Sequence, residues 1–483
     1  MELDCSGIVT RLGKWSVGPE PLYQQLAGGL KKAILDGAVP PDTLLPPERT
    51  FAGALAVSRS TVVAAYALLR QEGWLESRQG SGTKVLGPPL AQAKEFNPVA
   101  RNPVFEQMLD RGEGLIDFSG GIPAELKLAD LKLTHFNLSG ILQEPRYLPQ
   151  GLPELRQAIA NQYSLKGIPT SEEQVLITNG AQQALALVAA LYLQRGDTVV
   201  LENPTYFGAM DAFRGAGARL VGVTTDPVDG LRLDLLQRVL STLQPRFIYL
   251  TPTFQNPTGA VMPVEQRKEL VQLAEKNDLV LVEDNTLADL ELDQAAPPPL
   301  AAFAQGDNVI TIGSMSKLFW VGLRIGWVRA APALINRLTR LKQVNDLGSG
   351  LVNQVIATRW LDQFEAVKEW RKQELLAKRD LMLKLLQEHL PDWGCTRPGG
   401  GLFLWVRIGP SNAGTLAQLA LRYGVVILPG NVMSADDSYS QYVRLPFLLD
   451  PPLITEGIAR LSRAWESQAV LNKTGQPTSG FIV

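Results

Sequence analysis

At 483 residues, with 45% apolar residues, 43 glycines and 33 prolines, the chain is too long for one ordinary core and has the balance of a folded protein of two or three units. A net charge of −2 makes no whole-chain case for nucleic-acid binding; two histidines argue against a Ser-His-Asp apparatus or a multi-histidine metal site, and Cys5 and Cys395 do not form a disulfide framework. No run of about 18 apolar residues appears, and Met1 to Gly18 lacks the order of a signal peptide, so a cytoplasmic location is expected.

From Pro21 the residues Leu22, Leu26, Leu30 and Ile34 recur every four, predicting a helix that glycine stops at Asp36-Gly37. A second helix opens at Pro46-Pro47-Glu48-Arg49 and turns Phe51, Leu55 and Ala56 inward. The run Ser58-Arg59-Ser60-Thr61 then provides an N-cap for a third, whose Val62, Tyr66 and Leu69 face a core until Glu72-Gly73. Two short helices joined by a tight turn make a helix-turn-helix. Trp74 to Arg78, a glycine turn over Gln79-Gly80-Ser81-Gly82, and Thr83 to Leu86 add a hairpin wing.

In such a unit the start of the third helix enters a major groove while the wing follows the backbone. Ser58, Arg59, Ser60 and Thr61 sit at that start; an arginine there reaches guanine O6 and N7, and hydroxyls with free N–H groups hold phosphates. Arg49, Arg70, Arg78 and Lys84 are the further backbone candidates. Residues 1 to 87 carry nine Lys+Arg and eight Asp+Glu, so this unit is no polycation. The runs Pro21-Leu-Tyr-Gln-Gln-Leu, Leu45-Pro-Pro-Glu-Arg49, Val57-Ser-Arg-Ser-Thr-Val62 and Glu76-Ser-Arg-Gln-Gly-Ser-Gly-Thr83 resemble the GntR-type winged helix-turn-helix. That resemblance implies that Arg49, Ser58, Arg59, Ser60, Thr61 and Gly80 face double-stranded DNA, and that the protein works as a dimer on a two-part operator.

The expected first domain is residues 1–86, followed by a linker at 87–114 in which Pro88-Pro89, Pro98 and Pro103 break the periodicity. Beyond it, at 115–470, seven β-rich runs alternate with helical stretches: Gln174–Thr178, Thr198–Glu202, Arg219–Val223, Phe247–Thr251, Leu279–Asp284, Asn308–Ile312 and Ile325–Arg329. The fold class is therefore α/β, a mostly parallel seven-stranded sheet covered on both faces, with ligands expected at the carboxyl ends of strands. The tail 471–483 shows no periodicity and is expected to be loose.

The polar groups that matter fall at those strand ends. Lys317 follows the run Thr311-Ile-Gly-Ser-Met-Ser, with Arg324 seven residues on, in the pattern S-x-S-K-x4-G-x-R-x-G. A lysine that forms a Schiff base needs partial desolvation or a repelling neighbour, and Ser314, Ser316 and Arg324 suit a dianionic phosphate; together they suggest pyridoxal phosphate. Thr178-Asn-Gly-Ala-Gln182 turns from strand to helix and offers N–H groups of Gly180 and Ala181 to the same phosphate. Asp284 ends an apolar strand, where a carboxylate needs a cation, and a pyridinium nitrogen is one. At an effective dielectric of 20, such a pair 4 Å apart gains about 4 kcal/mol. Asn256 suits the ring 3-oxygen and Tyr206 the ring face.

The order Tyr206, Asn256, Asp284, Lys317, with Tyr147-Leu-Pro-Gln-Gly151 and Tyr442-Val-Arg-Leu-Pro-Phe447, resembles the fold-type I aminotransferases over about residues 115 to 465. A GntR head on such a domain resembles the MocR subfamily of transcriptional regulators. The resemblance implies that Lys317 carries the cofactor, Asp284 pairs the ring nitrogen and Asn256 bonds the phenolic oxygen. Gly180, Ala181, Ser314 and Arg324 then bind phosphate, Tyr147 reaches across a dimer, and Arg444 grips an α-carboxylate. One departure stands out: where the family has a tyrosine shortly after the aspartate, this chain has Asn285-Thr286-Leu287, which weakens the case for efficient transamination. The function expected is a pyridoxal-phosphate-dependent DNA-binding regulator that senses an amine, an amino acid or the vitamer. The alternative is a working aminotransferase with an accessory head.

Overall fold

The computed structural model describes residues 4–78, 82–87, 114–122, 147–293 and 295–474. Gly80 and most of the expected linker lie outside the described residues. The head begins with a helix the sequence analysis did not anticipate, α1 (Cys5–Leu12), capped by Asp4, whose carboxylate accepts from Gly7 N at 2.7 Å. Then come α2 (Leu22–Leu35), β1 (Leu44–Leu45), α3 (Glu48–Leu55), α4 (Arg59–Gln71), β2 (Leu75–Arg78) and β3 (Gly82–Val85). Leu26, Leu30 and Ile34 of α2 meet Phe51, Leu55, Val62, Tyr66 and Leu69 in one core. Leu22, expected inward, is 39% exposed because it sits on the first turn, ahead of the face that α4 covers. The Tyr66 hydroxyl, buried with its ring, donates to Pro46 O at 2.9 Å, as a buried phenol requires. The wing is a three-stranded antiparallel sheet in the order β1-β3-β2.

The turn between α3 and α4 is set by two residues. Ala56 closes α3 in the left-handed region (φ 52°), a conformation that costs a residue with a Cβ roughly 1–2 kcal/mol. Ser58 caps α4 by accepting from Thr61 N at 3.2 Å.

The large unit holds two sheets. The first contains all seven runs expected from the sequence, as β5 (Val175–Thr178), β6 (Thr198–Asn203), β7 (Arg219–Asp226), β9 (Phe247–Leu250), β10 (Val280–Asp284), β11 (Val309–Ser314) and β12 (Gly326–Arg329). It has eight strands rather than seven, because the two-residue β8 (Gly230–Leu231) folds back on the edge at β7. The order is β5-β12-β11-β10-β9-β6-β7-β8; β12 runs antiparallel to both neighbours, and the strands from β11 through β7 pair in parallel. Alternate residues feed two separate cores, Val200, Ile248 and Leu281 on one face and Val199, Phe247 and Val282 on the other, so helices cover both. The second sheet, β13 (Gly394–Cys395), β14 (Phe403–Arg407), β16 (Tyr442–Pro446), β15 (Val425–Pro429) and β4 (Ile116–Phe118), forms the small lobe. The helices Ala413–Arg422 and Pro451–Thr474 back it; the second continues four residues into the expected tail. Among the described residues, no single helix is long and apolar enough to cross a membrane.

Candidate cofactor cleft and DNA-reading face

A cleft of about 140 Å³ opens at the carboxyl ends of the parallel strands. Lys317 stands in the turn after β11, its Nζ donating to Gly121 O at 2.6 Å. Burial, with the cations of Arg444 and Arg324 nearby, lowers its amine to about 8 against the opposing pull of Asp284. Asp284 ends β10 and is 4% exposed. Its Oδ2 accepts from the Tyr249 hydroxyl at 2.9 Å and its Oδ1 from Thr286 N at 3.0 Å. Burial still pushes its carboxyl up, because these donors only partly replace water.

One corner of the cleft is built for an anion. The helix Ala181–Tyr192 starts at Gly180 (φ 89°), and a Cβ at Gly326 would lie 2.6 Å from the Gly180 carbonyl carbon, so glycine lets β12 press against the helix start. Ala181 and Gln182 line the cleft there. Ser314 Oγ donates to Ser316 Oγ at 3.1 Å and accepts from Ser316 N at 3.2 Å, while Arg324, left-handed at φ 53°, donates through Nη2 to Asn179 O at 2.6 Å. A helix start, two hydroxyls and an exposed guanidinium are the donors a phosphate takes.

The opposite wall belongs to the small lobe. Arg444 on β16 is 2% exposed; it donates to Asn256 Oδ1 at 3.1 Å and to Ser119 O, and it lies 4.2 Å over the Phe403 ring. Among the described residues its buried Nε has no hydrogen-bond partner, and burial lowers the guanidinium to about 10. Tyr206 begins the helix Phe207–Gly215 and donates to Gln182 Oε1 at 3.2 Å. Thr286 and Leu287 line the cleft where the family's tyrosine was expected.

The structure thus gathers Lys317, Asp284, Asn256 and Tyr206 with the phosphate corner and Arg444. Tyr147 does not line this cleft and is 74% exposed. Tyr249, Phe403, Gln182 and the carbonyls of Ser119 and Gly121 were not singled out from the sequence. A phenol inside the apolar strand β9 was the one available signal, since a buried tyrosine needs an acceptor. The residues fit pyridoxal phosphate: a depressed amine, a buried carboxylate and an anion corner surround one space. Among the described residues no group of three or more His, Cys, Asp or Glu is placed to hold a metal.

On the head, Ser58, Arg59 and Ser60 are exposed and Thr61 partly so at the start of α4, and Arg49 is exposed in the first turn of α3. Ser58 Oγ lies 2.7 Å from Ser60 Oγ and 2.8 Å from Thr61 Oγ1. Lys84 is held by Asp42 at 2.6 Å, and Arg70 donates to Ser77 Oγ at 2.9 Å. Arg78 ends β2.

These features define a winged helix-turn-helix joined to an aminotransferase fold. Residues 22–85 match the bacterial regulatory proteins of the gntR family, and residues 142–461 match aminotransferase class I and II. The HTH-type transcriptional regulator YisV of Bacillus subtilis is 31% identical over 452 residues, covering 88% of this chain and 92% of its own. The probable rhizopine catabolism regulatory protein MocR of Rhizobium meliloti is 31% identical over 400 residues, 77% of this chain and 78% of its own. Among solved structures, the α-aminoadipate aminotransferase LysN of Thermus thermophilus, in complex with N-(5'-phosphopyridoxyl)-L-leucine, superposes with a TM-score of 0.70. It is 34% identical and covers 76% of this chain and 95% of that one. The chain belongs to the MocR-type transcriptional regulators, GntR heads fused to a class I and II aminotransferase domain.

Proposed function

We propose that this regulator holds pyridoxal phosphate on Lys317 and responds to an amine that carries a carboxylate, reading double-stranded DNA through α4 as a homodimer. The observation that carries the proposal is Arg444: a buried guanidinium, with no carboxylate in ion-pair distance among the described residues, facing Lys317 across one cleft. A buried cation without a counter-ion is costly, and an anion supplied by a ligand offsets that cost.

When bound, pyridoxal phosphate supplies an aldehyde that bonds amines and a ring that withdraws electrons. Lys317, lowered to about 8, is partly neutral near pH 7 and therefore nucleophilic at Nζ. Asp284 holds a proton at the ring nitrogen, and Tyr249 and Thr286 keep its carboxylate oriented. Ser314, Ser316, Arg324 and the N–H groups at Gly180 and Ala181 hold the phosphate. Asn256 is the donor for the ring oxygen, and Tyr206 covers the ring face and excludes water. The 74% exposure of Tyr147 supports its expected service to a second copy.

A working aminotransferase is the second reading, favoured by 35% identity over 369 residues to the 2-aminoadipate transaminase of Thermus thermophilus. Thr286 and Leu287, which offer no phenol beside the ring oxygen, weigh against it. Footprinting on DNA flanking the protein's own gene, with and without candidate amines, tests the regulator. Failure to protect any site at moderate salt removes it, and sustained keto-acid production from an amino donor favours the enzyme.

A further inference from the structure

The head and the small lobe meet at a contact that none of the proposed chemistry uses. Arg422 ends the helix Ala413–Arg422 and sends its guanidinium into the head: Nη2 donates to Leu55 O at 2.6 Å and Nη1 to Ala56 O. Those are carbonyls at the carboxyl end of α3, left without partners inside the helix, where a cation is also favoured by the helix dipole. The side chain of Ala56, 2% exposed, packs in the apolar core of the large unit and not in that of the head. Its left-handed backbone turns the methyl toward the lobe and sets the direction in which α4 leaves. Asn431 adds a tie, donating through Nδ2 to Thr10 Oγ1 of α1 at 3.2 Å.

The same lobe is tied to the cleft. Ile116 N at the start of β4 donates to Gly424 O at 2.9 Å, two residues beyond Arg422, and β4 pairs in parallel with β15. Past β4, Ser119 O accepts from Arg444 and Gly121 O accepts from Lys317. Two of the cleft's basic side chains, Arg444 and Lys317, thus hold one short segment whose other end is bonded beside Arg422. A cofactor bonded to Lys317 Nζ would leave that nitrogen at most one N–H and so weaken its hold on Gly121 O, and an anion on Arg444 would compete with Ser119 O.

We propose that Arg422 is the positioning residue through which the cleft sets the orientation of the DNA-reading helices, with Ala56 as its seat on the head. The proposal rests on the cofactor reading above and adds the route by which occupancy reaches DNA. An exposed arginine at this helix end would serve capping alone. One that bridges two carbonyls of a neighbouring unit, next to an alanine held at positive φ with its methyl in the other core, constrains where α3 ends and α4 begins.

The test is hydrogen exchange of the amides in 52–62 of the full chain, with and without pyridoxal phosphate, in wild type, Arg422→Ala and Ala56→Gly. In wild type the cofactor is expected to change exchange there by roughly 5-fold or more, the lower range of measured couplings. Arg422→Ala should lose that response while taking up the cofactor, read by absorbance, with unchanged affinity. Ala56→Gly relieves the left-handed backbone, so the head stays folded, yet it should reduce the response because the methyl leaves the core. A variant that responds as fully as wild type overturns the proposal, as does a wild type that binds cofactor with no change at 52–62. Absence of the cofactor band in wild type would instead overturn the cofactor reading.

Discussion

The phenol of Tyr249 donates a 2.9 Å hydrogen bond to Oδ2 of Asp284 beneath the cleft, with both side chains buried. The bond joins β9 to the end of β10 and is held from behind by Phe213, whose ring packs edge-on to Tyr249 at 5.4 Å. Hydrogen bonds to charged groups contribute about 1.5–3 kcal/mol. Tyr249→Phe should lower stability without cofactor by about that amount in denaturant titrations, and should push the Asp284 carboxyl further up. A loss below 0.5 kcal/mol would mean that Asp284 does not rely on this donor.

Cofactor capture should follow the titration of Lys317. Because the neutral amine attacks, the rate of pyridoxal phosphate uptake by stopped-flow absorbance should rise up to about pH 8 and then level off, well below the 10.5 of an ordinary lysine. Arg444→Leu removes a cation that lowers this amine, so the plateau should move to higher pH. An unmoved profile would mean that Arg444 does not lower this amine and would leave burial and Arg324 as the causes.

Glu202, fully buried on β6, accepts from Thr251 N at 2.8 Å and Gln255 Nε2 at 3.3 Å, and burial raises its carboxyl to about 8. Between its ordinary 4.5 and about 8 the unfolded chain has released this proton while the folded chain keeps it. Stability should therefore fall as pH rises through that window, by up to about 1.4 kcal/mol per pH unit from this group. Glu202→Gln keeps the acceptor and should flatten that part of the stability profile in urea unfolding.

Arg59 opens α4 and is exposed. Arg59→Ala should cost about 1–3 kcal/mol of preference between an operator and unrelated DNA, measured by competition binding at fixed salt, and leave cofactor uptake unchanged. Equal loss of both would contradict a modular protein.

The seven strands and the helix-turn-helix were legible because their apolar periods are strong and their caps are local; the cap expected within Ser58 to Thr61 is Ser58. Lys317, Asp284, Asn256 and Tyr206 were read from their place at or shortly after strands, Asp284 ending β10 and the other three lying three to six residues beyond β11, β9 and β6, and the structure lines one cleft with all four. What stayed hidden depends on distant partners. Tyr249 looks like any aromatic strand residue until β10 lies beside it, and the part of Ser119 and Gly121 is played by backbone carbonyls, which have no residue signature. Helix α1 is only eight residues long and acquires its buried face from α3 and the small lobe. Ala56 and Arg422 are 366 positions apart, and an alanine at positive φ leaves no mark in the sequence. The eighth strand was missed because two residues are too few to show a period.

The most direct measurement is the absorbance of the purified protein titrated with pyridoxal phosphate, in wild type and in Lys317→Ala. Wild type should develop the yellow band of a lysine-bound cofactor with stoichiometric uptake, and the variant should not. A wild type that stays colourless, or a variant that develops the same band, would contradict the assignment of Lys317.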